Sequence, residues 1–235
     1  MKSRFKSPML SSERIIGWAY IPFHAVALPW LLAYLYQHVL TDMDAVFKTP
    51  NINLVYYVIS FAFLLIFLFR FLKTSFSDLL DNLIGSVKAI LLGYLFNIVL
   101  TFALSQLTSL ILNEQLNPNT EEIINQTKLN TNVMIAVAVL FAPVVEETLF
   151  RGVVFGSLHK KSRILAYIAS AVLFSVYHLW HYFVGGFEPS MLLYLMQYVP
   201  ASLALAWCYE KSGSIWAPMA LHAAINFISI KIMIG

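Results

Sequence analysis

A helix needs about 20 predominantly apolar residues to cross the hydrocarbon of a bilayer. This chain offers such a run about seven times, over approximately 15–40, 52–72, 84–112, 131–158, 164–184, 190–209 and 214–234. Backbone groups in hydrocarbon have no water to bond to, so each run must satisfy its own N–H and C=O groups and form a helix. Of the 235 residues, 60% are hydrophobic and 11% charged, against roughly 25% charged in soluble domains; the mean hydropathy is +0.74. The class that follows is all-α: a polytopic integral membrane bundle, with residues 1–235 as one domain, because no linker, repeat or low-complexity tract separates the runs. The balance of 15 Lys and Arg against 12 Asp and Glu reads as loop charge on a membrane protein and calls for no nucleic acid. The expected partners are lipids. A lone cysteine, Cys208, excludes a disulfide framework and a cysteine metal cluster.

Loop charge sets an expected orientation. Lys2, Arg4, Lys6 and Arg14 precede or open the first run; Arg70, Lys73 and Lys88 flank the second connection; His159, Lys160, Lys161 and Arg163 make the fourth; Lys211 lies in the sixth. The alternate connections are poor in base: Lys48 with Asp42 and Asp44, Lys128 with Glu114, Glu121 and Glu122, then Glu188 alone. The positive-inside rule puts the N-terminus in the cytoplasm and the C-terminus outside. Ala25-Val26-Ala27 resembles a signal-cleavage site, but the apolar run continues through it, so a retained first membrane helix is expected.

Three runs carry side chains that apolar packing would not select. The fourth holds Glu146, Glu147 and Arg151, the fifth His178 and His181, and the seventh His222 and Asn226. An ionised carboxylate at bilayer depth costs about 3 kcal/mol on insertion scales, and two adjacent ones repel. Glu147 and Arg151 are four apart and can pair on one helix face. Glu146, about 100° further round, has no such local partner and is free to hold or take a proton. His222 and Asn226 share the four-residue spacing, as do Phe174 and His178, which sets an aromatic ring beside the imidazole. Plainer readings stand beside these: Glu147 with Arg151 as a structural ion pair, His178 as a core histidine on a backbone carbonyl, His181 as an interfacial residue between Trp180 and Tyr182, and His24 as packing. Pro143 and Pro218 lie just ahead of Glu146 and His222, and can distort both helices there.

A carboxylate, imidazoles and an amide converging from separate helices can hydrolyse an amide bond. Glu146 would take a proton from water, His178 would orient that water or protonate the leaving amine, and His222 with Asn226 would donate to the oxyanion. Glu146, His178 and His222 are equally a His₂Glu set of the type that holds catalytic zinc. No H-E-x-x-H is present, so a glutamate-activated water is the first expectation, with no certain cofactor and a divalent metal such as zinc left open.

Ala142-Pro143-Val144-Val145-Glu146-Glu147-Thr148-Leu149-Phe150-Arg151-Gly152 resembles the E-E-x-x-x-R signature of the CPBP family of intramembrane endopeptidases, the CAAX proteases and bacteriocin-processing (Abi) proteins. Phe174 to His178 is similar to the family's F-x-x-x-H, and His222 to Asn226 to its H-x-x-x-N. The resemblance covers residues 131–228 and implies a peptidase core with its active site within the bundle. It implies Glu146 as the residue activating water with His178 assisting, Glu147 and Arg151 shaping the site, and His222 and Asn226 holding the oxyanion; Phe174 is expected to bind substrate. The implied substrate is a membrane-associated peptide or protein, with or without a lipid group; seven spans, where eukaryotic CAAX members usually have eight, suit bacterial cell-membrane members better. The competing reading is a non-catalytic immunity or scaffold protein that binds a peptide or membrane partner; a proton-coupled transporter is disfavoured by the few polar residues in the first three runs. At 1.5 Å per residue, Glu146 lies about 18 Å from the cytoplasmic end, His222 about 12 Å and His178 about 21 Å, so a single site requires tilt or protruding helix ends.

Overall fold

The architecture comes from a computed structural model that describes residues 5–39, 49–112, 117–184, 186 and 188–234. Lys2, Arg4, Asp42, Asp44, Lys48 and Glu114 lie outside the described residues. Among the described residues, seven helices are long and apolar enough to cross a membrane. We label them with two shorter helices in chain order: α1 Ser11–His38, α2 Pro50–Phe67, α3 Phe69–Asp81, α4 Leu83–Thr108, α5 Pro118–Leu129, α6 Thr131–Leu158, α7 Arg163–Phe183, α8 Ser190–Ser212 and α9 Trp216–Met233. Among the described residues there is no strand. The protein is a helical membrane bundle, as the apolar runs require.

Two connections differ from the sequence reading. The second span ends early, because the helix breaks at Leu68 (φ −121°, ψ 15°). Arg70 and Lys73 therefore fall on α3, a separate helix that buries Phe71, Leu72 and Ser75 on one side. The connection that carries Glu121, Glu122 and Lys128 is not a plain loop, since it contains α5. Asn117 caps it by accepting the Asn119 N–H, and Pro118 follows with a φ suited to the first helical position.

α6 lies at the centre, packed against α1, α2, α7, α8 and α9. Every residue from 145 to 156 is buried, so the half of α6 nearer the basic loops is sealed on all sides. Gly17 allows α1 to approach there, since a Cβ at that position would collide with the Val153 side chain. Gly213 (φ 78°) ends α8 and turns the chain directly into α9, which sets His222 against α6. α4 packs on α8 and α9 and shows its remaining surface outward, with Leu91 and Phe102 both about two-thirds exposed, as a lipid-facing helix should.

The basic end is latched by two carboxylates. Glu13, 5% exposed, accepts from the backbone of Leu10 and Phe71 and from Arg70, joining the start of α1 to α3. Glu210 on α8 accepts from Arg163 (2.6 and 2.8 Å), Tyr167 (2.7 Å) and His159 (3.0 Å). His159, read as one of the basic loop residues, is thus a hydrogen-bond partner of α8.

Candidate active site

α6 departs from regular α-helix on both sides of the glutamate pair. Residues Ala136–Phe141 and Thr148–Phe155 are wound as π-helix, with N–H groups bonding five residues back. The Ala142 N–H bonds to the Val137 carbonyl. The next carbonyl, that of Ala138, would by the same pattern receive the N–H of residue 143, and Pro143 has none. Asn226 on α9 fills the position, its Nδ2 donating to the Ala138 carbonyl at 2.8 Å. The amide expected to serve an oxyanion therefore commits one N–H to the kink that Pro143 creates.

Glu147 is 0% exposed and accepts twice through Oε1, from Arg151 Nη1 at 2.9 Å and from His222 Nδ1 at 2.8 Å. Arg151, also fully buried, extends Nη2 to the Ser202 carbonyl (3.3 Å) and Oγ (3.1 Å) on α8. Its guanidinium lies over the Phe174 ring, 4.3 Å from the centroid. Such a face lowers the cost of the buried cation. Phe174 is 2% exposed and stands edge-on to Phe150. Its ring packs against Arg151 and His178.

Glu146 is held differently. Oε1 accepts from the Tyr57 hydroxyl of α2 at 2.6 Å. Oε2 has no hydrogen-bond partner and faces two imidazoles, with His178 Nε2 at 3.7 Å and His222 Nε2 at 3.9 Å. His178 Nδ1 lies 2.8 Å from the Phe174 carbonyl, which only accepts, so Nδ1 carries the proton. His222 Nδ1 likewise carries a proton toward the Glu147 carboxylate. In the neutral rings both Nε2 atoms then present lone pairs to Glu146 Oε2. Three acceptors converge on one point, and only a proton donor or a cation between them makes that favourable.

The residues singled out from sequence on α6, α7 and α9 thus meet. His181 stands apart: it lines a polar cavity with Asn53, Asn119, Glu122, Gln126 and Tyr182. Among the described residues, no group of three His, Cys, Asp or Glu side chains is arranged to hold a metal ion. Glu146 Oε2 lies 3.7 and 3.9 Å from the two Nε2 atoms, a few tenths of an ångström beyond the roughly 3.4 Å between donors on tetrahedral zinc bonds, so these three side chains are the ones that would hold such an ion.

The sequence reading missed the contribution of α1 and α2. Tyr57, Tyr56 and Tyr177 share hydroxyl contacts of 3.1 and 3.3 Å, and His24 Nε2 lies 2.8 Å from Tyr56 and 3.1 Å from Tyr177. His24 Nδ1 closes on Ser60 Oγ at 2.9 Å. His24, read as packing, is 1% exposed and sits in a further π turn, Phe23–Ala27. Its signal was present: an ionisable ring inside a span, and a Tyr-Tyr pair away from the interfacial depth such rings prefer.

With this geometry in place, the comparisons are informative. Residues 128–228 match the family described as type II CAAX prenyl endopeptidase Rce1-like. The chain is 28% identical over 95 residues to "Putative membrane peptidase YdiL" of Bacillus subtilis (strain 168), covering 40% of this chain and 34% of that protein. It is 31% identical over 87 residues to "UPF0177 protein YxdF" of Lactococcus lactis subsp. lactis (strain IL1403), covering 37% of this chain and 42% of that protein. The matches thus span about a third to two-fifths of those relatives' length. No solved structure matches. Over residues 128–228, which carry all three motifs, the chain is thus similar to the type II CAAX prenyl endopeptidase family and to a protein named as a membrane peptidase.

Proposed function

We propose that this protein is an intramembrane endopeptidase in which Glu146 activates water to cut a peptide bond of a membrane-associated peptide or protein. The observation that carries the reading is the unpartnered Glu146 Oε2 facing the Nε2 atoms of His178 and His222. Glu147 Oε2 also lacks a hydrogen-bond partner, so what distinguishes Glu146 is the pair of imidazole nitrogens that its free oxygen faces.

Glu146 Oε2 takes a proton from water as its oxygen attacks the scissile carbonyl carbon. The buried set contains two carboxylates against one guanidinium, Arg151, so one further proton shared among Glu146, His178 and His222 makes it neutral. A protonated imidazole then donates through Nε2 to the developing oxyanion. Glu147 supports that role for His222, since its Oε1 already holds Nδ1. Glu146 passes the abstracted proton to the amide nitrogen, the C–N bond breaks, and a carboxylate and an amine leave. Arg151 neutralises Glu147 and, through Ser202, ties it to α8.

The test is cleavage of membrane-anchored peptides, prenylated and unprenylated, by purified protein in nanodiscs, with and without chelator, beside Glu146→Ala and His178→Ala. Loss of cleavage in both variants with indifference to chelator is expected. Undiminished cleavage in either variant, or loss on chelation that zinc restores, overturns the mechanism.

A further inference from the structure

The site has an open side and a closed side. Residues 145–156 of α6 are buried throughout, so nothing reaches Glu146 from the basic end. Among the four converging side chains, Glu147 is 0% exposed, Glu146 3%, His222 6% and His178 16%. The exposed edge is therefore His178, which lies towards the far end of α7. Just beyond it is the polar cavity of about 360 Å³ bounded by α2, α5 and α7. His181 in its wall is three residues past His178, and Asn53 is four before Tyr57, the Glu146 partner. Each is about one helical turn, roughly 5 Å, further out. Tyr198 stacks on His178 at 4.6 Å and reaches Asn117, the α5 cap, at 3.4 Å. α5 thus roofs the approach to the imidazole.

The cavity also has a sign. Asn53 Nδ2 donates to Gln126 Oε1 (2.5 Å) and Gln126 Nε2 to Glu122 Oε1 (2.6 Å), an amide chain that fixes the carboxylate in the wall. Among the described residues, no Lys or Arg lines it. Glu121 and Glu188 lie at the same end, with Lys128 and Lys231 opposing them. The other end carries Lys6, Arg14, Lys73, Lys160, Lys161 and Lys211, which by the positive-inside rule is the cytoplasmic one.

We infer that substrate reaches Glu146 from the non-cytoplasmic face, through the cavity between α2, α5 and α7, and that the cavity favours a peptide segment bearing positive charge. The inference rests on the peptidase reading for its chemistry, but its geometry is independent of it. A cationic side chain or terminal amine seats against Glu122 while the following backbone passes His181 and Tyr198 to the imidazoles.

Cysteine labelling in whole cells separates the two questions, with little background because Cys208 is fully buried. Glu122→Cys should react with a membrane-impermeant maleimide from outside, whereas Lys160→Cys should react only in inverted vesicles. The opposite pattern overturns the inference whether or not any peptide is cut. In purified protein, a bulky maleimide on Glu122→Cys should lower cleavage at least tenfold against the same variant unlabelled, while labelling Lys160→Cys leaves it unchanged. Glu122→Gln should raise KM several-fold for a lysine-bearing peptide and leave KM for its glutamine counterpart unaltered. If Glu146→Ala abolishes cleavage but blocking residue 122 does nothing, the route is wrong and the peptidase reading survives.

Discussion

Tyr57 donates to one oxygen of Glu146 at 2.6 Å and leaves the other facing two imidazoles. A single hydroxyl from α2 thus fixes which oxygen of a carboxylate on α6 is free to act. Tyr57 is itself held by Tyr177, and Tyr177 by Tyr56 and His24, so the reach of the site extends to the first helix.

Tyr57→Phe should lower kcat with little change in KM. A hydrogen bond to a charged group is worth about 1.5–3 kcal/mol, which corresponds to about a 10- to 150-fold loss if it acts in the transition state. Steady-state kinetics on a cleaved peptide measures it; an equal rise in KM with kcat intact would assign Tyr57 to substrate binding instead.

Arg151→Lys should behave as a disruptive change. Arg151 bonds Glu147 and both Ser202 oxygens while lying on Phe174, and an ammonium cannot reproduce that planar fork. Removing one partner of a buried ion pair costs about 3–5 kcal/mol. A sharp fall in the thermal unfolding midpoint in detergent is expected; an unchanged midpoint would mean that Glu147 is neutralised some other way.

Asn226 and Pro143 should be coupled. Asn226→Ala leaves the Ala138 carbonyl unpaired, at a cost of about 1–3 kcal/mol. Pro143→Ala returns an N–H to α6, so the same Asn226→Ala change should cost less in that background. A double-mutant cycle on stability reads the difference, and strict additivity would show that Asn226 does not serve the Pro143 kink.

Glu210→Gln should loosen the basic end without touching the chemistry. Its carboxylate accepts from Arg163, Tyr167 and His159, and charge-assisted bonds of this kind contribute about 1.5–3 kcal/mol. The expected result is a lower unfolding midpoint with kcat retained.

The helices were legible because a bilayer leaves a backbone so few choices: the apolar runs found Thr131–Leu158 and Arg163–Phe183 almost to the residue. The Glu147–Arg151 pair was legible from its spacing, because both partners sit on one helix. What was illegible depended on other helices. Nothing in the spacing of His222 tells that its Nδ1 reaches Glu147 and not a substrate, and nothing near Tyr57 tells that it ends on Glu146. Nothing near Asn226 tells that it serves a carbonyl orphaned by a proline 83 positions earlier in the chain.

The π windings of α6 also bear on how this helix tolerates changes in length. Each wide turn accommodates a surplus residue, so losing one residue from 136–141 can be absorbed by rewinding to ordinary α-helix, with both flanks keeping their faces. The same deletion in the α-wound stretch before His222 would turn everything beyond it by about 100°. The helix that carries the most expensive charges in this membrane protein is therefore the one best able to survive an error in its own register.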